Sequence, residues 1–399
     1  MSSGYMERAE KVLATTYKRQ PLVLTRGKGC RLWDSQDRSY LDFVAGIAVC
    51  NLGHGHPDIA RALATQAEKL CHVSNLYYTV PQMELAERLT RVSFADRAFF
   101  CNSGAEANEA AIKLARKYFS AKNQGARHRI ISMERSFHGR TMATLSATGQ
   151  DKIQKGFEPL LDGFDFVPFG DADALRRQIG PETCAVMLEP VQGEGGVRCP
   201  PEGYLAEVRH ICDDAGLLLI YDEIQTGMGR TGKLFAYEHS GAVPDIMTLA
   251  KALGNGLPIG AMLATESVAA AFGPGSHATT FGGTPVITAA ALEVMRLLID
   301  KGIVAHGAEV GNYFRGRLED LARRHPDVVE DVRGIGLLLG LKLSAPGDPV
   351  VAACMERGFL INCIQDRILR FVPPLVVETP EIDALIDCLD KVLPLLKDA

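Results

Sequence analysis

From about residue 98 to residue 301 the chain alternates short apolar runs with longer stretches of helical periodicity. That alternation restricts the fold more than any other feature, because it is the pattern of a mostly parallel sheet covered by helices. It predicts strands at Ala98–Cys101, Arg129–Met133, Ala185–Glu189, Leu217–Asp222, Ile246–Leu249 and Gly260–Ala264. Helices are predicted at Ala105–Phe119, Tyr204–Ala215 and Pro285–Lys301. Beyond Gly302 the pattern changes to a helix at Val304–Arg324, strand-like Leu337–Leu343 and Leu369–Val372, and a closing helix with Thr379 as N-cap and Pro380 in its first turn. In that last helix Ile382, Leu385, Ile386, Leu389, Val392 and Leu393 form one apolar stripe. Strand-like Gly29–Asp34 and Ser39–Phe43 set the start apart. The reading is a large α/β domain (residues 51–300) between an N-terminal segment (1–50) and a C-terminal one (301–399), the two ends packing together as a smaller domain.

Composition narrows the class. With 399 residues, 47% of them apolar and 23% charged, the chain can bury a large core. Forty-three basic against 48 acidic residues leave a net charge of −5, the wrong balance for a nucleic-acid partner. No apolar stretch approaches the roughly 18 residues of a membrane span. The opening Met1–Arg8 lacks a signal-like apolar core, and the 10 cysteines include no Cys-x-x-Cys pair. Reduced thiols acting as small core hydrophobes and a cytoplasmic location are therefore expected.

Three constellations suggest chemistry. Asn102-Ser103-Gly104-Ala105-Glu106 joins a strand to an Ala-rich helix, and Ser103 and Glu106 have capping-box spacing. A helix N-terminus attracts anions, and Gly104 permits close approach; an ordinary capped helix is the plain alternative. The strand Leu217–Asp222 ends in acid, where open α/β sheets hold their ligands, although a turn residue or a metal ligand fits as well. Its neighbour Glu223 should face the other way in extended chain. Lys251 stands alone between an apolar strand and a glycine-rich turn; burial would make its amine nucleophilic, whereas a snorkelling lysine is the bland reading. Together an anion cradle, a strand-end acid and an isolated lysine single out pyridoxal phosphate. A rival from another class is a nucleotide-binding P-loop at Gly227–Leu234, weakened because Leu234 replaces the hydroxyl residue that holds magnesium. His54 and His56, two apart with no third ligand, read as structural, and no metal is expected. Gly334-Ile335-Gly336 has the look of a dinucleotide site but the wrong spacing, and reads as a strand entry.

The chain also carries Gly53-His54-Gly55-His56-Pro57, Phe137-His138-Gly139-Arg140, Glu189-Pro190-Val191-Gln192-Gly193-Glu194-Gly195-Gly196 and Thr279-Thr280-Phe281-Gly282-Gly283. With these ordered motifs it resembles the class III pyridoxal-phosphate aminotransferases over nearly its whole length. The resemblance implies an aspartate-aminotransferase-like α/β fold (fold type I) and a ping-pong exchange between N2-acetyl-L-ornithine and 2-oxoglutarate. Succinylornithine, ornithine, succinyl-diaminopimelate and 4-aminobutyrate remain alternative amine donors. By the same resemblance Lys251 would carry the cofactor as a Schiff base and Asp222 would hold its pyridinium nitrogen. Gln225 would reach the phenolic oxygen, Phe137 and Ile224 the two ring faces, and Ser103, Gly104 and Ala105 the phosphate. Thr280 would reach the cofactor of a partner subunit in a homodimer, with Thr279 close to the substrate. Arg370 and Arg140 would grip carboxylates, and Glu194 would cover Arg370 when the reacting amine is terminal; a surface ion pair is the plain reading for either arginine.

Overall fold

The computed structural model describes residues 2–396. Seven strands form the central sheet, in the spatial order 97–101, 260–264, 246–249, 218–222, 183–188, 129–133 and 164–167. All neighbours pair parallel except Gly260–Ala264, which is antiparallel to the strands on both its sides. Reversing that one strand leaves Arg97–Cys101 running the same way as the parallel set. Six strands therefore deliver their carboxyl ends, and the loops that follow, to one edge of the sheet.

The inner strands Thr183–Leu188, Leu218–Asp222, Ile246–Leu249 and Gly260–Ala264 are buried at every residue. This is why they read as unbroken apolar runs: both sheet faces are covered by helices. On one face Gly104–Ala121 presents Ala107, Ala110, Ala111 and Ala115, all fully buried, so the helix backbone lies close to the strands. The observed strands follow the expected ones within two residues. Leu24–Lys28, Phe164–Val167, Val329–Ile335, Phe359–Leu360 and Asn362–Ile364 have no counterpart among the expected strands; Phe164–Val167 is a half-buried edge strand, and Val329–Ile335 is charged along its middle.

Two four-stranded sheets complete the fold. In one, Leu24–Lys28, Arg31–Asp34 and Ser39–Asp42 are joined by Phe359–Leu360, which pairs parallel with Ser39–Asp42. In the other, Val329–Ile335, Leu338–Leu343, Ile368–Phe371 and Asn362–Ile364 pair antiparallel. The two ends of the chain thus share a sheet. The helix Thr379–Val392 packs its whole stripe, Ile382 to Val392, into the core. Its N-cap is Glu378 rather than Thr379: the Glu381 carboxylate accepts the Glu378 N–H at 3.1 Å, so the cap lies one residue earlier than the Thr-Pro pair suggests.

The P-loop alternative fails here. No α-helix follows Gly227–Leu234, only the short 3-10 turn Ala236–His239, and Lys233 is exposed. The segment turns inward instead around Arg230, whose guanidinium is fully buried and donates to the carbonyls of Leu337 (2.9 Å) and Pro373 (2.6 Å) and to Asn51 Oδ1. Burial pushes that group down to about 9, with Cys50 opposing. Arg230 is therefore a structural hub that joins three distant segments. Arg230→Ala leaves three buried acceptors without a donor and is expected to cost at least about 3 kcal/mol, measured by denaturant unfolding.

The cysteines are mostly core residues, but Cys71 and Cys199 are exposed, against expectation. No helix among the described residues is long and apolar enough to cross a membrane.

Candidate active site

The carboxyl edge of the sheet opens into a cleft of about 490 Å³. Ser103, Gly104, Ala105, Phe137, Arg140, Asp222, Ile224, Gln225 and Lys251 all line it, drawn from separate loops. A crevice beyond strand ends is where open α/β sheets place their ligands.

Its anion end is the N-terminus of Gly104–Ala121. Ser103 caps the helix: Oγ accepts the Glu106 N–H at 3.2 Å and donates to Glu106 Oε2 at 3.1 Å. The Ala107 N–H bonds the Ser103 carbonyl. The cap thus leaves the first two amides, of Gly104 and Ala105, facing the cleft for an external acceptor. Gly104 is required by contact, because a Cβ there would sit 2.7 Å from Ile224 Cδ1.

Asp222 is held in place from behind. Its Oδ2 accepts from His138 Nδ1 at 2.7 Å and from Asn108 Nδ2 at 2.8 Å, while Oδ1 takes the Ile224 N–H at 3.1 Å. Asn108 also donates to the His138 carbonyl (2.7 Å) and accepts from Thr248 Oγ1 (2.7 Å). All four side chains are buried. Asp222 therefore has a fixed orientation, with one oxygen less heavily bonded than the other. Glu223 turns away as expected and accepts from the Ala236 N–H, the Tyr237 N–H and Thr226 Oγ1; burial pushes it up to about 7.

Lys251 follows the adjacent strand with a left-handed backbone (φ 40°), a strained geometry for a side-chain-bearing residue. Burial pushes its ammonium below the usual lysine range, and Glu194 pulls in the opposite direction. The site thus favours the neutral amine more than water does.

A second cluster adjoins Gln225. Arg370 is 1% exposed and ion-paired through Nη1 with Glu194 Oε1. Gln225 bridges the pair, accepting from Arg370 Nη1 at 3.3 Å and donating to Glu194 at 3.4 Å. Burial would push Glu194 up, but Arg370, then Lys251, outweigh it and hold the carboxyl below its ordinary range. Arg140 differs: it is exposed, with its guanidinium 5.6 Å from the Phe137 ring centre.

Four expected residues are not part of the cleft lining: Glu194 and Arg370, which adjoin it through Gln225, and Thr279 and Thr280. Thr279 faces a neighbouring cavity, although its Oγ1 accepts from Asn102 Nδ2 at 3.1 Å, and Thr280 is exposed. Sequence reading missed Asn108, Thr248, the role of His138, and Glu189, which lines the cleft and is buried. It also missed the left-handed turn Ala45–Ala48 before the cleft residue Val49, where φ is positive at Ala45, Gly46, Ile47 and Ala48. Asp42 stabilises that turn by accepting the Val44 and Ala45 N–H groups at 2.9 Å. Its other oxygen bonds His54 Nε2 at 2.7 Å, which with Cys50 pushes the imidazole up to about 9. His56 caps the helix Pro57–Lys69, so both histidines are structural, and the described residues hold no metal-binding cluster.

Residues 12–393 match the family described as Aminotransferase class-III. The chain is 50% identical over 397 residues to the acetylornithine aminotransferase of Methanocaldococcus jannaschii, covering 99% of each chain. Its fold matches the ornithine aminotransferase of Toxoplasma gondii ME49 with a TM-score of 0.96 at 31% identity, covering 100% of this chain and 96% of that one. The acetylornithine aminotransferase of Elizabethkingia anophelis gives a TM-score of 0.88 at 32% identity, covering 98% and 99%. The chain belongs to the class III aminotransferases, a family that uses pyridoxal 5'-phosphate.

The Asn108 relay has a direct consequence for stability. Asn108→Ala strips a donor from Asp222 and strands the Thr248 hydroxyl, and is expected to cost about 2–3 kcal/mol in urea unfolding. An unchanged midpoint would contradict the relay.

Proposed function

We propose that this class III aminotransferase transfers the terminal amino group of N2-acetyl-L-ornithine to 2-oxoglutarate, releasing N-acetyl-L-glutamate 5-semialdehyde and L-glutamate, a step of arginine biosynthesis in the cytoplasm. The observation that carries the reading is the contrast between two arginines: Arg370 is buried under Glu194, and Arg140 is exposed at the cleft. An amine-bearing terminal carbon has no carboxylate to offer Arg370, so Glu194 neutralises it; the far carboxylate of the same substrate can meet Arg140. 2-Oxoglutarate has carboxylates at both ends and would engage both arginines once Glu194 withdraws. The acetylated donor is favoured over free ornithine by the similarity to acetylornithine aminotransferases.

The side chains present suit the family's cofactor. The amides of Gly104 and Ala105, with Ser103, would hold its phosphate. Asp222 would hold the ring nitrogen, Gln225 the phenolic oxygen, and Phe137 and Ile224 would cover the ring faces. Bound there and linked to Lys251, pyridoxal phosphate supplies an electron-withdrawing ring and a carbonyl carbon that exchanges amines. Once the substrate's amine has displaced it, Lys251 Nζ, whose ammonium form burial disfavours, would take the proton from the amine-bearing carbon of the substrate and return it elsewhere on the reacting group, acting as base and then as acid. The fixed orientation of Asp222 keeps its carboxylate directed at one point during both steps.

A homodimer belongs to the same reading. Thr280 is exposed beside Phe281, which is 62% exposed, and Leu76 and Tyr78 are 82% and 93% exposed. A second copy covering this apolar face would carry Thr280 to the partner's cofactor and leave Thr279 near the substrate. The division at residues 50 and 300 into a large unit and a smaller one is likewise part of the proposal.

Half-reactions followed in single turnover test the assignment. Arg370→Ala is expected to lower kcat/KM for 2-oxoglutarate by about 100-fold, and that for acetylornithine by far less. Glu194→Ala should let glutamate react more readily relative to acetylornithine. Among acetylated, succinylated and free ornithine, the acetylated donor should give the highest kcat/KM. Equal losses in both half-reactions would contradict the division between the arginines, and a preference for free ornithine would contradict the substrate.

A further inference from the structure

Glu189 is the one carboxyl group in the cleft that neither the cofactor cradle nor the substrate arginines use. It directly follows the strand Thr183–Leu188 and is 5% exposed. Oε2 accepts the Phe137 N–H at 3.0 Å, and Oε1 accepts the Gly193 N–H at 3.2 Å. No ion pair joins it to a cation among the described residues, so its charge is sustained by two backbone dipoles. Burial pushes it up to about 7, while His138 opposes and Asp222 adds to the effect. Keeping an acid in such a place is costly. A carboxylate, however, is the side chain that can accept two converging N–H groups on separate oxygens, whereas an amide has a single acceptor oxygen.

The two peptides it holds lie beside Arg140 and beside Glu194, the cover of Arg370. The Phe137 ring, carried by the first of these peptides, lies beneath the Arg140 guanidinium. Gly193 immediately precedes Glu194 and has no room for a side chain, since a Cβ would sit 2.3 Å from Gln225 Oε1. Gln225 in turn touches both Glu194 and Arg370. Motion of the Gly193 peptide must therefore disturb Gln225 and the ion pair, and it must also break or drag the bond to Glu189.

We propose that Glu189 is a positioning residue that couples Arg140 and Glu194, its oxygens clamping the peptide of Phe137, whose ring lies under Arg140, and the Gly193 peptide at the hinge of Glu194, so that Glu194 leaves Arg370 only together with a shift at the Phe137 wall. The proposal rests on the reading of Glu194 as a movable cover. Loosening the clamp should favour the uncovered state and narrow the preference for a terminal amine over an α-amino acid.

Glu189→Gln keeps the volume but can accept only one of the two N–H groups. In the holoenzyme, the ratio of single-turnover kcat/KM for acetylornithine to that for glutamate is expected to fall about tenfold in E189Q. The same change made in E194A should add little, because the two residues act through one hinge. Hydrogen exchange supplies a readout independent of turnover: the Phe137 and Gly193 amides should exchange faster in E189Q, and only the Gly193 amide in E194A. E189D retains the charge but withdraws it by one methylene, and should shift ratio and exchange in the same direction should E189Q fold poorly. A ratio moved by E194A but not by E189Q or E189D, even with lowered stability, would reduce Glu189 to a structural residue and overturn the coupling. So would an E189Q effect that is undiminished in E194A. A ratio unmoved by E194A would overturn the cover itself, and the coupling with it.

Discussion

Desolvation of one lysine opposite a fixed carboxylate is the constraint around which the site is built. Asp222 ends one strand and Lys251 follows its neighbour in the same sheet, so their spacing is set by strand pairing rather than by flexible loops. Burial disfavours the lysine's charge, and the His138–Asn108–Thr248 network fixes the carboxylate. Each is costly alone: a strained backbone at Lys251, and buried polar side chains gathered around Asp222. The buried, largely apolar sheet beneath them absorbs that cost.

The pairing of Arg370 with Glu194 adds selectivity to this reactive centre. Arg370 lies on Ile368–Phe371, a strand of one small sheet, and Glu194 lies on a loop from the large sheet. Their ion pair therefore spans two sheets. A buried pair of this kind gives little net stability, because desolvation opposes the attraction. In the proposed reaction its use would be conditional: the guanidinium would be satisfied whether it meets Glu194 or a substrate carboxylate, so the site could take two substrates of different charge without leaving a naked cation.

Much of this is legible in the amino-acid sequence alone. Asp222 and Lys251 stand out because each breaks an apolar run, and Ser103 with Glu106 has a spacing that defines a cap. What escapes depends on which loops fold back over the sheet. Asn108 looks like any polar residue of an Ala-rich helix until Thr248 and Asp222 are seen on either side of it. Arg230 sits in a glycine-lysine pattern that matches a P-loop by spacing, while the direction in which that segment turns is decided by acceptors at residues 51, 337 and 373. The left-handed turn at Ala45–Ala48 is equally hidden, since only one of its residues is glycine and Asp42 supplies the local stabilisation.

The proposed chemistry stands or falls on Lys251 being the amine that bonds the cofactor. Borohydride reduction of the holoenzyme, followed by peptide mass mapping, tests it directly. The predicted result is one pyridoxyl-phosphate adduct per chain, located on Lys251. An adduct on another lysine, or a chain that binds the cofactor and yields no adduct, would contradict it.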